Sequence, residues 1–350
     1  MKRVGFLFEK IVAKDNILLA IKNSSKGKKG RRIVRKVLGN ADYYADIIVD
    51  LLVSKNYKPA PYKRLLLYDG ANQKEREICK PQYFPDQIIH WALIQIIEPI
   101  LMRGMYYYSC GSIPGRGSKL GVKSIRKWLD SDIFNTKYCL KLDVKKFYPT
   151  IDNHILEGMF RRKIKDEKCL WLIDAIVDSA VGLPIGNYTS QWFSNFFLEG
   201  LDHFIKENLG VKYYIRYVDD LVLLGSNKRK LHKVRKSISE YLTSVNLTIK
   251  SNWQVFPVSK RAIDFLGYKF HRNKTVLRRR NALRIRRRYK KINKKNFLNV
   301  KDAYAIIAYN GWIVNSDSYI FYQKHKPKYG LKKSKEAVSN YAKGILRKDS

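Results

Sequence analysis

Tyr213-Tyr-Ile-Arg-Tyr-Val-Asp-Asp-Leu-Val-Leu-Leu224 sets two adjacent carboxylates inside a run of aromatic, β-branched and aliphatic residues. Residues of these types fill strands. Paired carboxylates within such a run are costly unless a cation or hydrogen bonds compensate them. A hairpin resolves the conflict, because Asp219 and Asp220 then project from its tip. Tyr138-Cys-Leu-Lys-Leu-Asp-Val144 repeats the pattern: a strand-like run closing on Asp143, with Phe147-Tyr148 just beyond. Two strands that each end in an aspartate can hold two divalent ions about 4 Å apart, the arrangement used for in-line phosphoryl transfer. Oxygen-only ligands favour Mg²⁺ or Mn²⁺ over zinc.

The rest of the chain suits work on a polyanion. Its 350 residues hold 70 Lys+Arg against 30 Asp+Glu, a net charge of +40 that calls for a partner such as nucleic acid. At 45% hydrophobic and 13% aromatic residues it is too rich in core formers for a disordered basic tail. A membrane is not expected: the longest apolar stretch, Ile88 to Met102, is interrupted by His90, Gln95 and Glu98. The start MKRVGFLFEKIVAKD reaches charges too early for a signal peptide. Cys79, Cys110, Cys139 and Cys169 form no CxxC pair, which excludes a zinc knuckle and points to reduced thiols in the cytoplasm. The six histidines form no metal-binding cluster with one another or with the cysteines.

The charge is unevenly placed. Seven of the eleven residues from Lys26 to Lys36 are basic, as are eleven of the eighteen from Arg278 to Lys295, with no acid in the latter stretch. Residues 1–70 read as a helical basic extension, with a helix over Ala41–Val53 stopped by Lys58-Pro-Ala-Pro61. Residues 71–272 hold the two aspartate strands, helices over Gln87–Leu101, Lys119–Leu129, Ser190–Lys206 and Leu231–Val245, and a strand over Phe265–Phe270. Residues 273–350 read as a basic helical region. There Tyr304, Tyr309, Trp312 and Tyr319 are expected in its core. The order gives an α+β fold, an antiparallel sheet packed on helices.

Asp143 with Tyr148 five residues on, and Tyr217-Val-Asp-Asp220, resemble motifs A and C of reverse transcriptases. Lys74-Glu-Arg-Glu-Ile78 resembles the fingers strand, Leu183-Pro-Ile-Gly-Asn-Tyr-Thr-Ser-Gln191 takes the place of motif B, and Phe265-Leu-Gly-Tyr268 resembles the primer-grip hairpin. The resemblance runs from about Lys74 to Phe270 and implies a right-hand polymerase: fingers and palm, then a C-terminal helical thumb. It implies roles residue by residue. Asp143 and Asp219 bind the metals with the Val144 carbonyl, and Asp220 supports them. Tyr148 is the steric gate that selects dNTPs. Lys74 and Arg76 pair with the triphosphate, while Ile185, Gly186 and Gln191 border the nucleotide. Lys250 is the one lysine in the segment matching motif D. Arg116 and the thumb residues Arg278, Arg279, Arg280, Arg284, Arg286, Arg287 and Arg288 contact phosphates of template RNA and the cDNA primer-template, which fix position without reading sequence.

Most reverse transcriptases place Gln before the motif B glycine and Pro after its serine; here Ile185 and Gln191 stand there. That pattern resembles the enzymes of diversity-generating retroelements, which copy a template repeat RNA with errors at adenines. An apolar side chain cannot hold template and dNTP by hydrogen bonds, and such pockets discriminate less well. The resemblance further implies a small basic accessory variability protein as partner in a bacterial cell. A retron-type or phage-defence reverse transcriptase is the neighbouring alternative, and a catalytically silent RNA-binding scaffold the more distant one. No RNase H, integrase or HNH endonuclease domain is expected after the thumb.

Overall fold

The structure is a computed structural model and describes residues 2–69 and 74–344. In chain order it runs α1 (Phe8–Val12), α2 (Lys14–Ser24), α3 (Arg32–Gly39), α4 (Ala41–Val53), β1 (Lys63–Asp69), β2 (Lys74–Lys80), α5 (Ile88–Met102), α6 (Ser118–Ser131) and β3 (Tyr138–Asp143). Then follow α7 (Phe147–Thr150), α8 (Asn153–Lys163), α9 (Glu167–Val177), α10 (Tyr188–Phe197), α11 (Glu199–His203), β4 (Tyr213–Tyr217), β5 (Asp220–Gly225) and α12 (Lys228–Ser244). The chain closes with β6 (Gln254–Pro257), β7 (Ile263–Phe265), β8 (Tyr268–Phe270), β9 (Thr275–Leu277), α13 (Arg279–Asn293), α14 (Val300–Ile313), α15 (Tyr319–His325) and α16 (Leu331–Ala342). No helix among the described residues is long and apolar enough to cross a membrane.

Contacts divide the chain into two compact units. One comprises Met1–Gly115, Leu142–Gly210 and Val234–Trp253; the other comprises Arg116–Lys141, Val211–Lys233 and Gln254–Ser350. The first unit is built around α5, which buries residues around most of its circumference (Ile88, Ile89, Ala92, Leu93, Ile97, Leu101), so it is a core helix rather than a surface one. His90 lies fully buried in it, and burial pushes its imidazole down to about 3, leaving it neutral. Phe160 of α8 packs on Phe193 and Phe196 of α10 at ring separations of 4.9 and 4.8 Å. One carboxylate serves two helix starts. Asp166 accepts from Cys169 N–H at the head of α9 and from the Leu7 and Phe8 N–H groups at the head of α1, satisfying donors that a helix start otherwise leaves open.

A four-stranded sheet runs in the order β4-β5-β3-β6, and a three-stranded sheet, within the second unit, in the order β7-β8-β9. Strands β4 and β5 form the expected hairpin, with Tyr217 opposite Asp220. Both strands are almost wholly buried, which accounts for their unbroken apolar reading. The α13 face formed by Asn281, Ile285, Tyr289 and Ile292 is buried.

Four sequence expectations change. Residues 63–69 are strand, not helix, because Lys74–Lys80 lies opposite in antiparallel register. The helix expected over Ser190–Lys206 breaks at Leu198 into α10 and α11. Phe265–Phe270 is not a single strand but two short ones, the hairpin that the resemblance implies at Phe265–Tyr268, about a Leu266-Gly267 turn whose φ angles, 52° and 82°, are both positive, as a tight two-residue hairpin requires. The C-terminal aromatics divide as well. Tyr309 packs on Tyr289 and Trp312 on Tyr268, but Tyr304 stands exposed, because α14 turns Val300, Ala303, Ile306 and Ile313 inward, and so does Tyr319, the first residue of α15, a helix that buries none of its residues.

Candidate active site

Asp219 lies in the two-residue turn between β4 and β5, and Asp220 is the first residue of β5. Val218, the first turn residue, has φ +57°, a conformation that disfavours a β-branched side chain. Strain of this sort persists only where the surroundings over-determine it. Here the support is Arg216, fully buried within β4, whose guanidinium donates to the Val218 carbonyl at 3.0 Å. A charged side chain inside a strand holds up the turn that presents the aspartates. Nothing in the residue pattern marks Arg216 for this role except its charge within an apolar run.

Asp143 is the last residue of β3, and β3 lies beside β5 in the sheet order. The backbone continues past Asp143 in antiparallel contact with Leu247–Lys250: Lys145 N–H donates to the Thr248 carbonyl at 2.8 Å, and Lys250 N–H to the Asp143 carbonyl at 2.8 Å. Val144, opposite Ile249, is thus a non-hydrogen-bonded pair member, and its carbonyl points away from that neighbour. The Lys250 ammonium donates to the Asp143 carboxylate. The Asp220 carboxylate lies 3.5 Å from the Lys141 ammonium. Among the described residues no three His, Cys, Asp or Glu side chains are gathered tightly enough to hold a metal ion. Two of the carboxylates, Asp143 and Asp220, are instead paired with lysines.

Tyr148 sits in the one-turn helix α7, half-buried, with its hydroxyl 3.4 Å from Ser194 Oγ of α10. Its carbonyl accepts from Leu183 N–H at 2.9 Å, which fixes the start of the Leu183–Gln191 segment against α7. The Ile185 carbonyl in turn accepts from Cys79 N–H of β2 at 2.8 Å. Gly186 has φ +131°, and a Cβ there would collide with the Cys79 carbonyl oxygen, so only glycine passes this close to β2. Tyr148, Ile185, Gly186 and Gln191 are thereby brought together within one unit, with Gln191 exposed on the first turn of α10. Arg76 is exposed on β2, directly opposite Leu67. The Lys74 side chain lies outside the described residues.

The basic residues separate into two sets. Arg279, Arg284, Arg286 and Arg287 are exposed on α13, and Arg280 is half-buried. Arg278, at the helix N-cap, donates to the Asp264 carboxylate through Nε at 2.7 Å. Arg288 and Lys295 both pair with the buried Asp302, at 2.7 and 2.6 Å. The stretch without an acid therefore draws acids from elsewhere in the chain. Arg116 is half-exposed in the loop before α6.

A family model described as reverse transcriptase (RNA-dependent DNA polymerase) matches residues 73–270. The group II intron-encoded protein LtrA of Lactococcus lactis subsp. cremoris is 26% identical over 206 residues, 56% of this chain and 33% of that protein. An uncharacterized mitochondrial protein, ymf11, of Marchantia polymorpha is 26% identical over 148 residues, 41% of this chain and 18% of that protein. The chain thus spans a third or less of the length of these two curated relatives. Apo telomerase from Candida tropicalis superimposes with a TM-score of 0.52 at 12% identity, covering 82% of this chain and 58% of that one, a likeness of fold. The architecture is that of a right-hand polymerase. More than half of the residues fall inside one family model, and that span holds Asp143, Tyr148, Gly186, Asp219 and Asp220: the chain belongs to the reverse transcriptase family.

Proposed function

We propose that this chain is an RNA-directed DNA polymerase that extends a primer along template RNA. The observation that carries the reading is the β4–β5 hairpin, whose strained two-residue turn, supported by the buried Arg216, presents Asp219 and leads into Asp220. The donor set suits a hard divalent cation, since the three carboxylates and the Val144 carbonyl offer oxygen alone. Lysine ammonium groups already stand at Asp143 and Asp220, so these carboxylates attract positive charge as the protein is built. Asp143, Asp219 and the Val144 carbonyl would hold two Mg²⁺ ions, or Mn²⁺, with Asp220 in support. Bound metal supplies activation of the primer 3′-hydroxyl and neutralisation of the leaving pyrophosphate.

The chain's own residues bind and orient. Tyr148, fixed between Leu183 and Ser194, presents an aromatic ring that excludes a ribose 2′-hydroxyl and so selects dNTPs. Lys74 and Arg76 neutralise the triphosphate. Arg116 and the arginines of α13 hold template and primer phosphates. In this reading residues 1–70 are the basic extension, 71–272 the fingers and palm, and 273–350 the thumb.

Extension of oligo(dT) on poly(rA) tests the reading. Wild type should extend with Mg²⁺, and Asp219→Asn should lose on the order of a hundredfold or more of the rate. No extension with Mg²⁺ or Mn²⁺ would sink the proposal and favour a silent RNA-binding scaffold.

For the subtype we propose mutagenic copying of a template repeat RNA, as in diversity-generating retroelements. Ile185 and Gln191 at the motif B positions support it, together with the small basic accessory protein that such a system implies. RNA or an acidic patch would have to bridge two basic proteins, so co-purification before and after nuclease treatment checks that partner. The group II intron-encoded relative favours a second reading, a reverse transcriptase without adenine bias. Sequencing cDNA made from the cognate RNA separates the two.

A further inference from the structure

We propose that Lys141 is a positioning residue that ties the Val218–Asp219 turn and Asp220 to the β7–β8 hairpin and the head of the basic helix α13. The inference rests on the polymerase reading above. Lys141 lies on β3 two residues before Asp143, and its side chain is only a quarter exposed, 26%. A lysine on a strand usually extends its ammonium into water. This one turns inward. Its Nζ donates to the main-chain carbonyl of Asp264 in β7 and lies 3.5 Å from the Asp220 carboxylate.

Each partner has a reason to need it. Strand β7 is the edge of its three-stranded sheet, paired only with β8, so its outward carbonyl has no strand partner and must be satisfied otherwise. Asp220 carries a charge at the end of a buried strand, where a nearby ammonium offsets the cost of burial. A single cation answers both and joins two separate sheets. The chain of contacts continues, because the carboxylate of the same Asp264 accepts from Arg278, the N-cap residue of α13. Asp220, Lys141, Asp264 and Arg278 therefore form one polar line within a single compact unit, from the aspartate turn to the arginine-rich helix. Strain or displacement at the hairpin or helix, as when nucleic acid is gripped, reaches the aspartates through Lys141. Exposed surface pairs of this chemistry contribute little; partial burial and the shared ammonium set this one apart.

The test is single-turnover extension on a fixed primer-template with three variants. Lys141→Met removes both contacts, Lys141→Gln keeps a donor for the Asp264 carbonyl but not the ion pair, and Lys141→Arg can keep both. Misplacing a reacting group by about 1 Å costs on the order of a hundredfold, so Met and Gln should slow turnover at saturating dNTP by at least about tenfold. Apparent KM for dNTP and primer-template affinity should stay within about threefold, because Lys141 pairs with Asp264 and Asp220 and not with the arginines that hold phosphates. Lys141→Arg should recover most of the rate. Wild-type turnover in Gln, or a defect in Arg as deep as in Gln, overturns the inference, and this comparison decides even where Met fails to fold. Activity in wild type with loss in Asp219→Asn shows that the polymerase reading stands independently. An inactive wild type would overturn both.

Discussion

The backbone N–H of Cys79 donates to the carbonyl of Ile185 at 2.8 Å, so β2 and the motif B loop are held edge to edge. The contact places Ile185, 36% exposed, beside the strand that carries Arg76, and it uses the residue's main chain while leaving its side chain to act alone. An aliphatic side chain contributes no hydrogen bond to a template–dNTP pair. Ile185→Gln should therefore lower misincorporation opposite template adenine by about tenfold or more, as polar recognition outperforms apolar fit. Sequenced cDNA from variant and wild type gives the comparison; identical error spectra would defeat the mutagenic reading while leaving the polymerase untouched.

Gly186 is the tightest point of the same contact. A methyl group there meets the Cys79 carbonyl oxygen, and the φ of +131° is itself adverse for any other residue. Gly186→Ala should destabilise the protein by about 1–3 kcal/mol, a typical cost for backbone strain or overpacking. The loss should appear in thermal unfolding, together with a raised KM for dNTP. An unchanged Tm would mean that β2 and the loop separate at no cost.

Arg216 and Val218 form a second pair that can be tested as a cycle. Arg216→Met removes the donor to the Val218 carbonyl and should lower both stability and extension rate. Val218→Gly accepts φ +57° without support. Combined, the two should be less damaging than their sum, with a coupling of about 0.5–3 kcal/mol, the range for residues in contact. Strict additivity in Tm and rate would show that Arg216 supports something other than the turn.

Asp302 organises the basic helix rather than the chemistry. Its side chain is 2% exposed and holds both Arg288 and Lys295. Asp302→Asn should cost about 1.5–3 kcal/mol, the scale of hydrogen bonds to charged groups, because the two cations keep access to water when released. The urea midpoint measures this. Primer-template affinity should hold or rise, since two cations are set free; a marked fall would place Asp302 in nucleic-acid binding.

Asp132 predicts a pH dependence. Lys212 beside it, with Asn135 and the Tyr213 hydroxyl, holds its carboxyl well below the usual carboxylate range. A depressed folded-state value means that its stabilisation is present above the unfolded value of about 4 and is lost as pH falls through the folded one. Asp132→Asn should be less stable than wild type at pH 7, and the gap should narrow as pH drops below about 4. A gap that stays constant from neutral to acid pH would contradict the ionised pair.

The sequence alone determined the two aspartate strands and the family. An apolar run broken by two carboxylates has few solutions, and the hairpin of β4 and β5 is the one adopted. The long buried helix α5 and the acid-free basic run were legible for the same reason: local pattern reports burial directly. What tertiary structure decided is which charges meet. Arg278, Arg288 and Lys295 read as one field of positive charge, yet the fold brings Asp264 and Asp302 to them from outside that run. Lys141 looks like an ordinary strand lysine until β7 arrives from more than a hundred residues away. Strand β1 was hidden inside a helical reading, because its hydrogen bonds are supplied by β2 and not by its own neighbours. Periodicity encodes what each residue hides from water, but the partner of a charge is set by chain topology, and no local pattern carries it.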